Sequence, residues 1–280
     1  MIEKRLFGAI VAVLILTVPA GLCQEPKELT VFAAASLTGA FGEIGEMYEN
    51  GTGIHVTFNF DGSQALATQM TNGAYADVFA SANNKQMNVV KKAGLMNTSS
   101  IATFTRNTPA LVVPVANPGG IKGISDLNRS GLKIVIGTDD VPIGDYTRQI
   151  LDKLENDTDY GYWYKIGFYN NVVSRETNVN YIVSKVALGE ADAGIAYKSD
   201  VTPAMAEKIT KIEIPAKYNV IAEYPMGALN QTKYPAQAEG FMRLVRSDEG
   251  RAVLEKYGFD PVASTTTTSL AAATSTRAAA

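Results

Sequence analysis

Apolar and polar residues follow two different periods in the first part of the chain. Residues 29–35 form an apolar run, which is typical of a buried strand. From Thr38 onward, apolar residues recur three and four positions apart, which predicts an amphipathic helix. Residues 54–60 then alternate strictly between apolar and polar, which predicts a strand with one buried face. The sequence DGS at 61–63 breaks this strand, and a short helix should follow it.

Strands and helices continue to alternate as far as residue 260. We expect further strands at 77–82, 111–115, 133–136 and 193–197. We expect helices at 87–92, at 144–155, at 179–186 behind Asn178 as N-cap, and at 241–245 and 253–257. This alternation predicts an α/β fold with mostly parallel sheets flanked by helices. Ligands of such folds bind beyond the carboxyl ends of strands, which points to the segments after Ala35, Phe60 and Gly137 and before Val179.

The first 22 residues predict an export signal. Lys4 and Arg5 form a charged start, and the apolar run at 6–20 is too short to span a membrane. Cys23 is the only cysteine and stands where a lipoprotein cysteine would stand, but Leu22 precedes it where a small residue is expected. We expect an exported protein, periplasmic or on the cell surface. Lipid attachment at Cys23, plain cleavage and an uncleaved anchor all stay open.

Composition narrows the class of protein. The chain is 46% apolar and 19% charged, which suits a globular fold, and its 280 residues are enough for two lobes. The formal net charge of −3 gives no basic surface, so we expect no nucleic-acid partner. Any bound anion must therefore be selected by local donors. Residues 263–280 are rich in Ser, Thr and Ala, and we expect them to form a disordered tail.

The chain offers little equipment for catalysis. His55 is the only histidine, so a secreted serine-type hydrolase would have to use it, which is a remote alternative. No phosphate-binding glycine loop and no HExxH motif is present, and one cysteine with one histidine argues against a zinc site. Asp139 and Asp140 are better explained as a solvated turn or a helix cap. We expect no enzyme, no cofactor and no metal held directly by side chains.

Two serines occupy matching positions between a strand and a helix. Ser36 and Ser63 each offer a hydroxyl and a backbone N–H in a first helical turn, where N–H groups are unpaired and the helix dipole is positive. Either serine alone is explained as an ordinary N-cap. Two of them at equivalent positions suit an anion that is held from two sides.

Six segments, in order along the chain, resemble those of a known family. They cover about residues 28–260 and are similar to the molybdate-binding proteins of ABC transporters, the ModA family. One segment alone is weak, but the ordered set is specific. The segments are LTVFAAASLT at 29–38, FDGSQALATQ at 60–69, ADVFASA at 76–82, VPIGDY at 141–146, GEADAGIAYKSD at 189–200 and EKYGF at 255–259.

The resemblance implies both a fold and a site. It implies a two-lobed periplasmic-binding-protein fold of type II with the ligand in the cleft. Lobe 1 would hold residues 28–105 and 225–260, and lobe 2 residues 106–224. It implies that neutral donors hold the anion: hydroxyl and amide groups of Ser36 and Ser63, the backbone amides of Ile143 and Val179, and the phenol of Tyr197. Ile143 replaces the family's usual alanine, which a backbone contact tolerates.

Asp61 departs from the pattern, because the family often has a small residue at this position. A carboxylate aimed into the cleft would weaken anion binding. We therefore expect Asp61 to face solvent or to cap the following helix, and direct contact with the metal centre of the anion is the alternative.

The functional expectation follows from the resemblance. The chain would be a monomeric, extracytoplasmic solute-binding protein that captures molybdate, and also tungstate, for the membrane permease of an ABC transporter. Molybdate is fully deprotonated near neutral pH and only accepts hydrogen bonds, so a site of neutral donors satisfies it. A tungstate-preferring protein, or a binder of sulfate or another tetrahedral oxyanion, is the alternative.

Overall fold

The apolar run at the beginning of the predicted α/β region becomes an inner strand of a sheet. A computed structural model describes residues 28–262. The predicted signal segment, Cys23 and the tail at 263–280 lie outside these residues. Within them, no helix combines the length and the apolar character that crossing a membrane requires.

The chain begins in one lobe, moves to a second and returns to the first. The first pass contains β1 (Glu28–Ala34), α1 (Thr38–Thr52), β2 (His55–Asp61), α2 (Ser63–Thr71), β3 (Val78–Ala80), α3 (Asn84–Lys92) and β4 (Ala102–Asn107). The second lobe contains β5 (Pro109–Pro114), β6 (Ile134–Gly137), α4 (Pro142–Glu155), α5 (Gly161–Asn170), β7 (Val172–Glu176), α6 (Val179–Ala187), β8 (Ala193–Tyr197) and β9 (Ile209–Glu213). The return adds β10 (Ala222–Ala228), α7 (Pro235–Arg246), α8 (Asp248–Lys256) and β11 (Asp260–Pro261).

Each lobe is built on one sheet flanked by helices. The first sheet has the strand order β11-β4-β10-β3-β1-β2, and the second has the order β7-β6-β8-β5-β9. The chain leaves the first sheet after β4 and enters the second at β5, with only Thr108 between them. It returns between β9 and β10. The sequence analysis placed the start of the returning segment at residue 225. The whole of β10, from Ala222, belongs to the first sheet.

The sheets are mixed, whereas the sequence predicted mostly parallel ones. β1 runs parallel to β2 and β3, and β6 runs parallel to β7 and β8. β10 runs antiparallel to β3 and β4, and β5 runs antiparallel to β8 and β9. Parallel neighbours need a crossover connection, usually a helix. In the described part of the chain, no helix lies directly before β5 or β10, the strands at which the chain enters the second lobe and returns to the first. The apolar pattern of a buried strand carries no information about its direction.

Two local features show how the sequence sets element boundaries. Helix α1 ends at Gly53, whose backbone is left-handed with φ of 69° and whose N–H donates to Glu49 O at 2.7 Å. Glycine adopts this conformation without the steric cost of a Cβ. Helix α5 begins at Gly161, which has φ of 69°. This helix was not predicted from the sequence because its aromatic residues do not form a clear apolar stripe.

An aromatic cluster forms the centre of the first lobe. The Phe41 ring is fully buried, and its centroid lies 5.6 Å from that of Phe104 and 5.8 Å from that of Phe241. Phe58 lies 6.2 Å away on β2. These rings come from α1, β2, β4 and α7, so the cluster joins the segments before and after the second lobe. The first lobe therefore depends on chain that returns late in the sequence.

We expect Phe41→Ala to lower the free energy of unfolding by about 3–5 kcal/mol, because it removes a buried ring and leaves a cavity. Chemical denaturation monitored by circular dichroism measures the change. Tyr162→Ala is the matched control, since that ring is 56% exposed and its removal should change stability by less than about 0.5 kcal/mol. Equal losses in the two variants would contradict the assignment of Phe41 to the core.

Candidate functional site

The first lobe contributes two turns that follow the carboxyl ends of β1 and β2. The parallel pairing of these strands sets Ala34 opposite Asp61. Ser36 lies two residues beyond one strand end, in a one-turn 3-10 helix, and Ser63 lies two residues beyond the other, as the first residue of α2. Since parallel strands end at the same edge of a sheet, the pairing brings the two serines together.

The second lobe contributes two helix N-termini and one strand end. Pro142 begins α4, a position where its missing N–H costs no hydrogen bond, and Ile143 follows it. Asn178 caps α6, because its side-chain oxygen accepts two first-turn N–H groups at 3.0 and 3.4 Å. Val179 is the first residue of that helix. Tyr197 is the last residue of β8.

One small cavity between the lobes brings the five predicted site residues together. Its empty volume, including the part open to solvent, is about 210 Å³. This is smaller than the pockets of about 300–1,000 Å³ that hold drug-sized ligands, so the cavity suits a ligand with few heavy atoms. That Ser36, Ser63, Ile143, Val179 and Tyr197 contact the ligand stays a prediction. The cavity is lined by these five residues and by Ala34, Ala35, Gly62, Ala82, Val141 and Pro142.

The lining of the cavity is neutral and rich in hydrogen-bond donors. None of its residues carries a charged side chain, and the side-chain polar groups are all hydroxyls. The N-termini of α2, α4 and α6 all reach the cavity wall. First-turn N–H groups have no acceptor within their own helix, and the helix dipole is positive there. The arrangement suits a small anion that only accepts hydrogen bonds.

A glycine allows α4 to approach the end of β6. A Cβ at Gly144 would lie 1.9 Å from Thr138 O and 2.8 Å from Gly137 O. Any larger residue would force the first turn of α4 away from the strand. The glycine of the VPIG turn therefore allows the first turn of α4, with Ile143, to lie at the cavity.

The Ser63 hydroxyl accepts one hydrogen bond and keeps its hydrogen available for donation. Ser63 is 1% exposed, and its Oγ accepts the Ala82 N–H at 3.0 Å. Because this bond occupies the oxygen as an acceptor, the hydroxyl hydrogen can point into the cavity.

The Tyr197 hydroxyl is buried, and its oxygen has no hydrogen-bond partner within residues 28–262. An unpaired buried hydroxyl costs about 1–3 kcal/mol. Burial, and after it the neighbouring Tyr224 and Tyr146, raise the pKa of the Tyr197 phenol well above its ordinary value. The phenol therefore keeps its proton, and Tyr197 is one of the residues that line the cavity. A ligand that accepts a hydrogen bond would remove the cost.

Tyr224 and Asn107 belong to the site and were missed by the sequence analysis. Ser36 Oγ and Tyr224 Oη lie 2.9 Å apart, and Asn107 Nδ2 donates to Tyr224 Oη at 3.4 Å. If the amide donates to Tyr224 and Tyr224 donates to Ser36, the Ser36 hydrogen is free to face the cavity. Ser36 and Tyr224 are 188 residues apart, so no local pattern could have connected them.

Asp61 is half-buried and forms a hydrogen bond between the lobes, which the sequence analysis did not expect. It is absent from the cavity lining, and it is not the N-cap of α2, which is Gly62. Its Oδ1 accepts the Gly62 N–H at 2.7 Å and the Asn178 side-chain amide at 3.0 Å. The carboxylate therefore joins the two lobes beside the cavity.

His55 lies far from both serines of the site. It begins β2, while Ser63 follows the end of that strand, so the two are separated by roughly 20 Å of extended chain. The His55 side chain is 59% exposed, and its Nδ1 lies 2.9 Å from Glu49 Oε2. The structure does not bring His55 to Ser36 or Ser63. Within residues 28–262, no group of three or more His, Cys, Asp and Glu side chains is placed to hold a metal ion.

Comparison with known proteins assigns the family. The model described as bacterial extracellular solute-binding protein matches residues 29–260. The chain belongs to this family. It is 40% identical to the molybdate-binding protein ModA of Mycobacterium tuberculosis over 242 residues, which cover 86% of this chain and 87% of that protein. It is 33% identical to a putative ABC transporter substrate-binding lipoprotein of Bacillus subtilis, with 84% and 87% covered.

A solved structure shows the same fold. The periplasmic molybdate-binding protein of Azotobacter vinelandii matches with a TM-score of 0.73 and 24% identity, covering 84% of this chain and all of that one. The two-lobed periplasmic-binding-protein fold expected from the sequence is thereby confirmed, with mixed sheets in place of mostly parallel ones.

One buried carboxyl of this solute-binding protein lies directly behind Tyr197. Asp200 is 7% exposed, and its Oδ2 accepts the Tyr197 N–H at 2.8 Å. Burial raises the pKa of this carboxyl to about 7, and the bond from the backbone only partly opposes the rise. The folded protein therefore holds a proton on Asp200 between about pH 4 and pH 7, where the unfolded chain has lost it.

We expect the free energy of unfolding to fall as pH rises from 5 to 8, because the unfolded state binds fewer protons at Asp200 than the folded state. Asp200→Asn keeps an oxygen for the Tyr197 N–H but cannot ionise, so its stability should fall less over the same range. Urea denaturation at pH 5, 6, 7 and 8 compares the two slopes. Identical slopes would contradict the raised pKa.

Proposed function

We propose that this protein captures molybdate outside the cytoplasm for an ABC transporter, and that tungstate shares the site. The observation that carries the proposal is the buried Tyr197 phenol, a donor without a partner on a residue that lines a cavity of uncharged side chains. The proposal assigns the anion contacts to Ser36, Ser63, Ile143, Val179 and Tyr197.

The donor set supports a fully deprotonated oxyanion. The cavity offers hydroxyls that can donate, and it lies at three helix N-termini. A phosphate that keeps a proton needs an acceptor for it, and a carboxylate is the usual one. No carboxylate lines the cavity. Each buried hydrogen bond to a charged group contributes about 1.5–3 kcal/mol, so a few of them support tight binding after the entropic costs.

The relatives support the choice of metal oxyanion. The Mycobacterium tuberculosis and Azotobacter vinelandii proteins are both named as molybdate-binding. The relatives named here are solute-binding proteins, which supports a role without catalysis, and the position of His55 agrees with that role. The proposal includes a membrane permease as partner, a monomeric state and no nucleic-acid ligand. It leaves open whether Cys23 carries a lipid.

Calorimetric titration with molybdate, tungstate, sulfate and phosphate tests the proposal. We expect molybdate and tungstate to bind tightly, sulfate to bind more weakly and phosphate not to bind, because only the first three lack a proton that needs an acceptor near neutral pH. Tight binding of sulfate without a response to molybdate would overturn the choice of ligand. No binding of any of the four would overturn the function.

The donors themselves are tested by single-atom changes. We expect Tyr197→Phe and Ser63→Ala each to weaken molybdate binding by about tenfold to a hundredfold, because each removes one hydrogen bond to a charged group. Tyr162→Phe is the control, since its ring is 56% exposed on α5. Melting temperatures identify any loss of folding, which matters for Ser63 because it also accepts the Ala82 N–H. Unchanged affinity in both variants would contradict the proposal that Tyr197 and Ser63 contact the anion.

A further inference from the structure

Two turns from opposite lobes lie against each other beside the cavity. We call this pair of turns the seam; it consists of residues 61–64 of the first lobe and 177–180 of the second. Asp61 Oδ1 accepts the Asn178 side-chain N–H at 3.0 Å, and Gln64 Nε2 donates to Thr177 O at 2.7 Å. Asn180 adds a third contact from the seam, a bond from its side-chain amide to Ala35 O at 3.3 Å.

A glycine in the seam gives independent evidence of close approach. A Cβ at Gly62 would lie 2.4 Å from Thr177 O of the other lobe. The remaining close atoms belong to the flexible Gln64 side chain. The Gly62 backbone has φ of −56° and ψ of 133°, which any residue adopts. Of the three atoms nearest to such a Cβ, the only backbone atom is Thr177 O, and it belongs to the second lobe.

The seam is continuous with the groups that form the cavity. Gly62 and Ser63 line the cavity from the first lobe, and Val179 lines it from the second. Asn178 uses its oxygen to cap α6 and its nitrogen to reach Asp61. Asp61 uses the same Oδ1 to accept the Gly62 N–H. One pair of side chains thus fixes the first turn of α6 against the turn that carries Ser63.

We propose that Asp61 and Asn178 are positioning residues that latch the lobes together and so set how tightly and how long the anion is held. This inference rests on the proposed function. The carboxylate gains a charge-assisted bond in the closed form, and this bond is lost when the lobes separate. A ligand that uses donors from both lobes binds the closed form, so its apparent affinity rises with the population of that form.

The latch also explains how a carboxylate is tolerated near an anion site. Two N–H donors face Asp61 Oδ1, from Gly62 and from Asn178. These bonds hold Oδ1 at the seam, and Asp61 is not among the residues that line the cavity. Repulsion between the Asp61 carboxylate and the anion would weaken binding, whereas the bond between Asp61 and Asn178 would strengthen it. Separate substitutions distinguish the two effects.

The test is molybdate binding by full-length variants, measured by calorimetry for affinity and by stopped-flow competition for the release rate. We expect Asp61→Ala to raise Kd and the release rate about tenfold, because the charge-assisted bond across the seam is lost. Asp61→Asn keeps an acceptor oxygen, so its Kd should stay within about threefold of the original. If both variants bound molybdate more tightly, repulsion would dominate and the latch would be wrong.

A side-chain exchange tests the pair directly. Asn178→Asp keeps an oxygen to cap α6 but opposes a second carboxylate to Asp61, and we expect a loss of at least about tenfold in affinity. Combining it with Asp61→Asn exchanges donor and acceptor at constant net charge, and it should recover most of the loss. Without recovery in the double variant, the two residues would not act as a pair.

Closure itself is tested by Gly62→Ala and small-angle X-ray scattering. We expect this variant to keep its melting temperature in the absence of ligand and to bind molybdate at least about tenfold more weakly. We also expect molybdate to compact the original protein but not this variant. Asp126→Ala is the control, since Asp126 Oδ2 accepts the Lys122 and Gly123 N–H groups within the second lobe. Its affinity should not change.

The two proposals fail in different ways. If the original protein binds molybdate and the Asp61 and Gly62 variants match it within twofold in Kd and release rate, the latch is wrong and the proposed function stands. If the original protein binds none of the four anions, the function fails first.

Discussion

Buried hydrogen-bond donors without acceptors are the constraint on which this structure depends. The Tyr197 hydroxyl has no partner among the described residues, and the first-turn N–H groups of three helices lie around the same cavity. Each unpaired donor costs free energy in the absence of an acceptor. Under the proposed function, a deprotonated oxyanion would accept hydrogen bonds from donors of both lobes. No carboxylate lines the cavity, which would disfavour an anion that keeps a proton.

The same constraint explains why the donors are divided between two lobes. Ser36 and Ser63 come from the first sheet, and Ile143, Val179 and Tyr197 come from the second. Separation of the lobes would expose the donors to water, which accepts their hydrogen bonds. Closure around an anion exchanges those water contacts for charge-assisted bonds. The seam beside the cavity adds direct contacts between the lobes. Ligand contacts and seam contacts would therefore both favour the closed form over the open one.

The crossing segments have a role beyond joining the lobes. Asn107 ends β4 at the first crossing, and Tyr224 lies in β10 soon after the return. Asn107 Nδ2 also donates to Ser199 Oγ at 2.8 Å, next to the buried Asp200. The hydrogen bonds that orient Ser36 thus pass through the point where the chain changes lobes. The crossing and the Ser36 hydroxyl, a proposed anion contact, are connected through neutral side chains.

The sequence by itself determined the local elements and the composition of the site. Apolar period predicted β1, α1 and β2, and Asn178 is the N-cap that its position indicated. These features depend on neighbours within a few residues, which is why they can be read from one chain. The ordered motifs then supplied the five residues that the fold places around one cavity.

Only the tertiary structure decided strand direction, the role of Asp61 and the contribution of Tyr224. A buried strand has the same apolar pattern in either direction. The sequence therefore could not show that β10 runs antiparallel to β3 in one sheet and β5 antiparallel to β8 in the other. Asp61 meets Asn178 across 117 residues, and Tyr224 meets Ser36 across 188. Hydrogen bonds between such distant residues depend on how two lobes pack. Local periodicity carries no information about that packing.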